Sequence, residues 1–136
     1  MMRSRGFTLL EMLVATLIMG IAVVGLLANI SASLRNAARL TDYDRAALLA
    51  RQKMDELLVD QGLPKMVPLE GGFDPALTGG AEAGWRAQIT PFEAPPNASP
   101  GTDILERLEV EIWWMSGARR RTFALEGFRQ GKLVRP

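Results

Sequence analysis

The chain has 136 residues, a formal net charge of +1, and neither cysteine nor histidine. That inventory excludes disulfides, a lipid-bearing cysteine, Cys/His zinc sites and any catalytic nucleophile–imidazole pair. A near-neutral balance gives no general attraction to nucleic acid, and no nucleic-acid-binding motif is present. The length fits one small domain plus one membrane segment. Of the hydrophobic residues, 48% of the total, many lie before residue 35, so the remainder has only a modest core to build.

Arg3 and Arg5 lead into Gly6-Phe7-Thr8-Leu9-Leu10-Glu11, and the next charge after Glu11 is Arg35. Residues 12–34 are therefore 23 residues without a charge. As a helix they measure roughly 34 Å, enough to cross a hydrocarbon core of about 30 Å. Asn29, Ser31 and Ser33 make the far end more polar, as at an outer interface. The basic leader puts the N-terminus on the cytoplasmic side. Glu11 is the anomaly, because a carboxylate at the edge of such a segment is costly and marks a functional site with a partner to be found.

Three readings compete for this segment. A secretory signal peptide would be cut near Ser31-Ala32-Ser33, but Glu11 falls where its core should be most apolar. A plain anchor accounts for everything except Glu11. A segment processed before its apolar run, which then packs against its own kind, gives both Gly6 and Glu11 a role.

The run Arg5-Gly6-Phe7-Thr8-Leu9-Leu10-Glu11-Met12-Leu13-Val14-Ala15 resembles the N-terminal motif of type IV prepilins and type II secretion pseudopilins. The resemblance implies a pilin-like α+β fold. It also implies cleavage between Gly6 and Phe7 by a prepilin peptidase/methyltransferase, N-methylation of Phe7, and an assembly role for Glu11. The physics fits. Cleavage creates an ammonium on Phe7, and Glu11 of one subunit can meet the Phe7 ammonium of the next. In a dry setting such a pair acts as a registry device rather than as simple glue. Loss of Arg3 and Arg5 leaves 14 basic against 15 acidic residues.

The helical pattern continues over residues 35–61. An apolar stripe runs through Ala38, Ala46, Ala47, Leu49, Ala50, Met54, Leu57 and Leu58, spaced mostly by three and four. Asp55 and Asp60 fall late, where the helix dipole disfavours acids, so the last turn is expected to fray. Gly62 and Pro64 form a stop signal. Residues 7–61 as one helix would be on the order of 80 Å long. Many major pilins carry a proline where this chain has Ala28, and the departure predicts an unbroken helix.

Residues 62–136 read as loop and antiparallel sheet. Residues 63–84 hold Pro64, Pro68, Pro75 and five glycines and are expected to drape over the sheet as a connecting loop. Residues 85–90 alternate as a strand, and Pro91, Pro95, Pro96 and Pro100 mark a second loop. In residues 104–114, Leu108, Val110, Ile112 and Trp114 face one way. Arg107, Glu109, Glu111 and Trp113 face the other. Ser116-Gly117 turns the chain into a returning strand over residues 121–128, with Phe123 and Leu125 inward, and Leu133-Val134 is expected to add a short tail.

The expected architecture is a long N-terminal helix, transmembrane then amphipathic, packed on a small antiparallel sheet. Its segments are a leader (1–6), a transmembrane and assembly helix (7–34), an amphipathic helix (35–61) and the sheet region (62–136). Glu109 and Glu111 share one solvent-facing side of a strand and read as a solvated face rather than a catalytic pair. Arg119-Arg120-Arg121 reads as a solvated strand start rather than a phosphate site. Gly71-Gly72 and Gly79-Gly80 are spaced wrongly for a phosphate loop. Asp74, Asp103 and Glu106 do not have the spacing of a calcium loop, so no metal or cofactor is expected. Trp113 is either a cross-strand contact or an exposed aromatic for a neighbouring subunit.

Downstream, Ala46-Ala47-Leu48-Leu49-Ala50-Arg51-Gln52-Lys53-Met54-Asp55-Glu56-Leu57-Leu58 resembles the helix of the I-type minor pseudopilins of type II secretion. That resemblance implies a non-enzymatic subunit of a periplasmic pseudopilus. Its partners would be the J- and K-type minor subunits and the major pseudopilin, and it would hold a single pass in the bacterial inner membrane. The alternatives are a minor type IV pilin of the PilV kind and a membrane-anchored periplasmic binding module.

Overall fold

Helix α1 runs Leu9–Val59 without interruption, through Ala28, in the computed structural model, which describes residues 6–135. The chain divides into two compact units between Thr41 and Asp42. In the first, α1 exposes apolar side chains on every side, among them Leu13, Leu17, Ile21 and Leu26. A helix apolar all round has the surface of a membrane span. Two of its polar side chains within the apolar run bond to the helix itself. The Thr16 hydroxyl donates to the Met12 carbonyl (2.9 Å) and Asn29 Nδ2 to the Gly25 carbonyl (3.1 Å). Neither needs water, as hydrocarbon requires.

In the second unit, α1 buries Ala46, Leu49, Ala50, Met54 and Leu57. These face a four-stranded antiparallel meander, in the order β1-β2-β3-β4. The strands are β1 (Leu69–Gly72), β2 (Ala83–Glu93), β3 (Asp103–Ser116) and β4 (Arg119–Lys132). Alternate β3 residues from Ile104 to Trp114 are buried, as the period-two pattern demands, and with Ala87 and Ile89 of β2 they form the core. The Tyr43 and Trp114 rings meet edge to face, 5.0 Å apart.

The loop expected over residues 63–84 is instead partly structured. It contains β1 and a one-turn helix α2 (Pro75–Thr78), N-capped by Asp74 and stopped by Gly79 at φ 67°. Two strand glycines, Gly71 of β1 and Gly84 of β2, leave room for tryptophans. A Cβ on Gly71 would lie 2.6 Å from the Trp85 indole, and a Cβ on Gly84 would lie 2.7 Å from that of Trp113. Each glycine is the direct cross-strand partner of its tryptophan. Strand β2 outruns its expected end and carries Pro91 at a register shift, where a missing N–H is tolerated. Strand β4 also runs longer than expected. Leu133 stays outside it, exchanging backbone hydrogen bonds with Gly101 and Thr102.

Helix α1 ends two residues before the expected residue 61. It stops at Val59 with no basic residue in its last turn, and β4 supplies the cation. Arg129 Nη1 donates to the Leu57 carbonyl (3.1 Å) and the Asp60 carbonyl (2.6 Å). Its Nε donates to Glu106 Oε2 at 3.1 Å. Glu106 is 1% exposed and Arg129 7%. Lys65 is the second cation on Glu106, and its Nζ also donates to the Lys132 carbonyl (2.8 Å). A Cβ on Gly131 would run into the Glu106 carboxylate, whereas one on Gly127 would meet only the flexible Met54 thioether.

Arg129→Met should therefore lower stability by several kcal/mol, because it leaves a buried carboxylate with Lys65 as its one cation and uncaps the helix. Thermal unfolding of the full chain in micelles, followed by circular dichroism, measures this. In the same assay Gly131→Ala should cost clearly more than Gly127→Ala.

Candidate functional site: the helix N-terminus

Gly6, Phe7 and Thr8 precede α1 in non-helical conformation. The Gly6–Phe7 bond therefore lies outside the helical hydrogen-bond ladder. Among the described residues nothing lies within 4 Å of a Cβ built on Gly6, and Phe7 is 81% exposed. The bond is open to an enzyme. Arg3 and Arg5 of the leader lie outside the described residues.

Thr8 is the N-cap. Its carbonyl accepts from Met12 N–H (3.2 Å) and its hydroxyl from Glu11 N–H (3.3 Å). Glu11 Oε2 in turn accepts from Thr8 N–H at 3.4 Å. This reciprocal pair is a capping box, Thr-x-x-Glu, which satisfies two of the amide donors that a helix start leaves orphaned. The carboxylate also sits where the helix dipole favours an anion. Glu11 thus has a partner within its own chain, which the sequence reading did not assign. The Thr8-to-Glu11 spacing was the signal that could have found it.

The other singled-out residues do not gather into a site. Glu109 is exposed and Glu111 half-buried, opposite Gln88 and Arg86 across the strands. Asp74 caps α2, Asp103 pairs with Lys132 (3.3 Å), and Glu106 is held by Arg129 and Lys65. Among the described residues no group of three or more acidic side chains is placed to hold a metal. Trp113 is half-buried on the outer face of the sheet, with the Arg120 guanidinium 4.5 Å over its ring.

Residues 1–27 match the prokaryotic N-terminal methylation motif. With a long N-terminal helix and a four-stranded antiparallel sheet, this defines a pilin-like α+β protein of the prepilin class. The chain is 37% identical over 89 residues to type II secretion system protein I of Pseudomonas aeruginosa, an alignment covering 65% of this chain and 67% of the relative. The chain belongs to that family, the I-type pseudopilins of type II secretion. No solved structure matches it.

Thr8→Ala should loosen the first helical turn by about 1 kcal/mol, while Thr8→Ser should preserve it. Amide hydrogen exchange at Leu10 and Glu11 in micelles reads the difference.

Proposed function

We propose that the chain is a minor subunit of the type II secretion pseudopilus, made as a precursor and processed at its N-terminus. The prepilin peptidase/methyltransferase cuts between Gly6 and Phe7, on the cytoplasmic side of the inner membrane, and methylates Phe7. The processed subunit keeps residues 12–34 in the membrane and its C-terminal unit in the periplasm. It joins J- and K-type minor subunits and the major pseudopilin in the tip complex that starts assembly, and so supports export across the outer membrane. Its role is structural rather than catalytic.

The observation that carries this reading is the juxtaposition at the start of α1. An open Gly–Phe bond lies one residue before a capping box whose acid borders an uncharged helix. Cleavage places an ammonium on Phe7, next to the N-cap. The Glu11 carboxylate, held by a single long hydrogen bond to its own chain, is available to a neighbour's ammonium. The exposed apolar surface of α1 gives neighbouring helices something to pack on.

Mass spectrometry of the protein isolated from the membrane should find methylated Phe7 as the first residue. A chain starting at Met1 or Ser33 would refute the reading. Gly6→Leu should leave uncut precursor on a gel. Glu11→Ala should be cut normally but fail to co-purify with the other pseudopilins, and normal co-purification of that variant would sink the assembly role of Glu11. Recovery with a secretin and J- and K-type subunits, rather than with pilus components, separates this reading from a minor type IV pilin.

A further inference from the structure

The turn between β3 and β4 carries two exposed arginines, Arg119 and Arg120, that the function above leaves unused. Neither has a carboxylate partner among the described residues. The Arg120 guanidinium lies over Trp113, a side chain whose amphipathic ring suits a membrane–water boundary. A guanidinium presents a planar fork of donors that matches phosphate oxygens.

The position of this turn within the C-terminal unit is fixed by two contacts. Trp114, just before the turn, meets Tyr43 near the point where α1 enters the unit. At the other end of the sheet, Arg129 holds the carbonyls of Leu57 and Asp60. The arginine turn is therefore at the end of the unit from which the chain continues toward the apolar segment. Only residues 35–41 separate Leu34, the last residue of the uncharged run, from Asp42. Even fully extended, that tether reaches on the order of 28 Å. It carries two further arginines, Arg35 and Arg39.

We propose that the β3–β4 turn, through Arg119 and the stacked Arg120–Trp113 pair, docks on the phosphate groups of anionic phospholipids in the membrane that holds residues 12–34. The proposal rests on the reading of those residues as a membrane span. Docking would hold the unassembled subunit close to the bilayer surface, a contact the subunit must give up to enter a filament. Asp42 and Asp44 lie at the same end of the unit and offset long-range attraction. The contact is therefore a close one, and its test reads proximity.

The absence of cysteine makes that test direct. The full chain with Ala118→Cys, labelled there with a fluorophore, is placed in nanodiscs of phosphatidylcholine alone or mixed with phosphatidylglycerol. Both kinds of disc contain headgroup-spin-labelled lipid as quencher. The expected result is strong quenching only with phosphatidylglycerol. It should be lost with Arg119→Ala plus Arg120→Ala, reduced but not lost with lysine at both positions, and weakened by salt. Circular dichroism establishes that the variants fold, and Arg119→Ala alone, which breaks no contact, should already reduce quenching.

Equal quenching in both lipids, or quenching unchanged by the alanine pair, overturns the proposal. An unquenched label in both kinds of disc also overturns it, and leaves the arginines to a partner protein. If inorganic phosphate shifts the label's emission in phosphatidylcholine discs and competes with phosphatidylglycerol, the site takes free anions rather than lipid, and the proposal fails. Failure of the chain to co-elute with discs refutes the membrane span itself, a result distinguishable from the others.

Discussion

A carboxylate on the core side of a strand is the constraint around which the C-terminal unit is arranged. Glu106 sits between Ile104 and Leu108 in the inward-facing row of β3. Left unpaired there it would cost several kcal/mol. Arg129 from the next strand and Lys65 from the segment after the helix both reach it, and Gly131 clears the space it occupies. Arg129 Nη1 takes up two carbonyls at the end of α1, while the buried Nη2 has no partner among the described residues. The apolar core is non-directional and would tolerate small slips of helix against sheet. The polar cluster does not, because every group in it has a bonding geometry to satisfy. One acid thus ties together the register of β3 and β4, the end of the helix and the path of the loop that follows.

The parts of the fold legible in the sequence were those with a local period. The three-and-four spacing from Ala46 to Leu57 and the alternation from Leu108 to Trp114 appear in the structure as read. What was missed depends on contacts distant in sequence. Leu69-Glu70-Gly71-Gly72 has little strand character of its own, and becomes a strand because Trp85 fits against the bare backbone of Gly71. Gly127 and Gly131 went unremarked in the sequence, yet they are where β4 lies against Met54 and Glu106. Arg129 carried no local signal at all, since its partners are 23 and 72 residues away. At the N-terminus, Gly6, Phe7 and Glu11 stood out through their resemblance to a known motif. Thr8 did not, although its spacing from Glu11 is a standard helix-start pattern. An acid beside an apolar run drew attention to function, and its local task passed unread.

That local task bears on the functional one. A helix start presents amide donors that hydrocarbon cannot satisfy. The capping box lets the chain approach the membrane boundary with two of those donors bonded and with a negative charge at the positive end of the helix dipole. The same carboxylate is the group that assembly is proposed to use. Glu11 is then stabilised by its own chain when the subunit is alone and by a neighbour's ammonium when it is not. At neither stage need it stand without a donor.

The glycines under the two indoles carry a consequence for how this family can vary. Gly71 with Trp85, and Gly84 with Trp113, are each one packing object divided between two strands, and the two objects lie on opposite faces of the sheet. A side chain at either glycine leaves its indole nowhere to lie, and a smaller residue in place of the indole uncovers backbone. Neither member can drift alone. In relatives that keep this sheet, the paired positions should change together, with bulk passing from one strand to the other while their sum stays nearly constant. Two positions that look like loop filler are, on that account, among the least free in the chain.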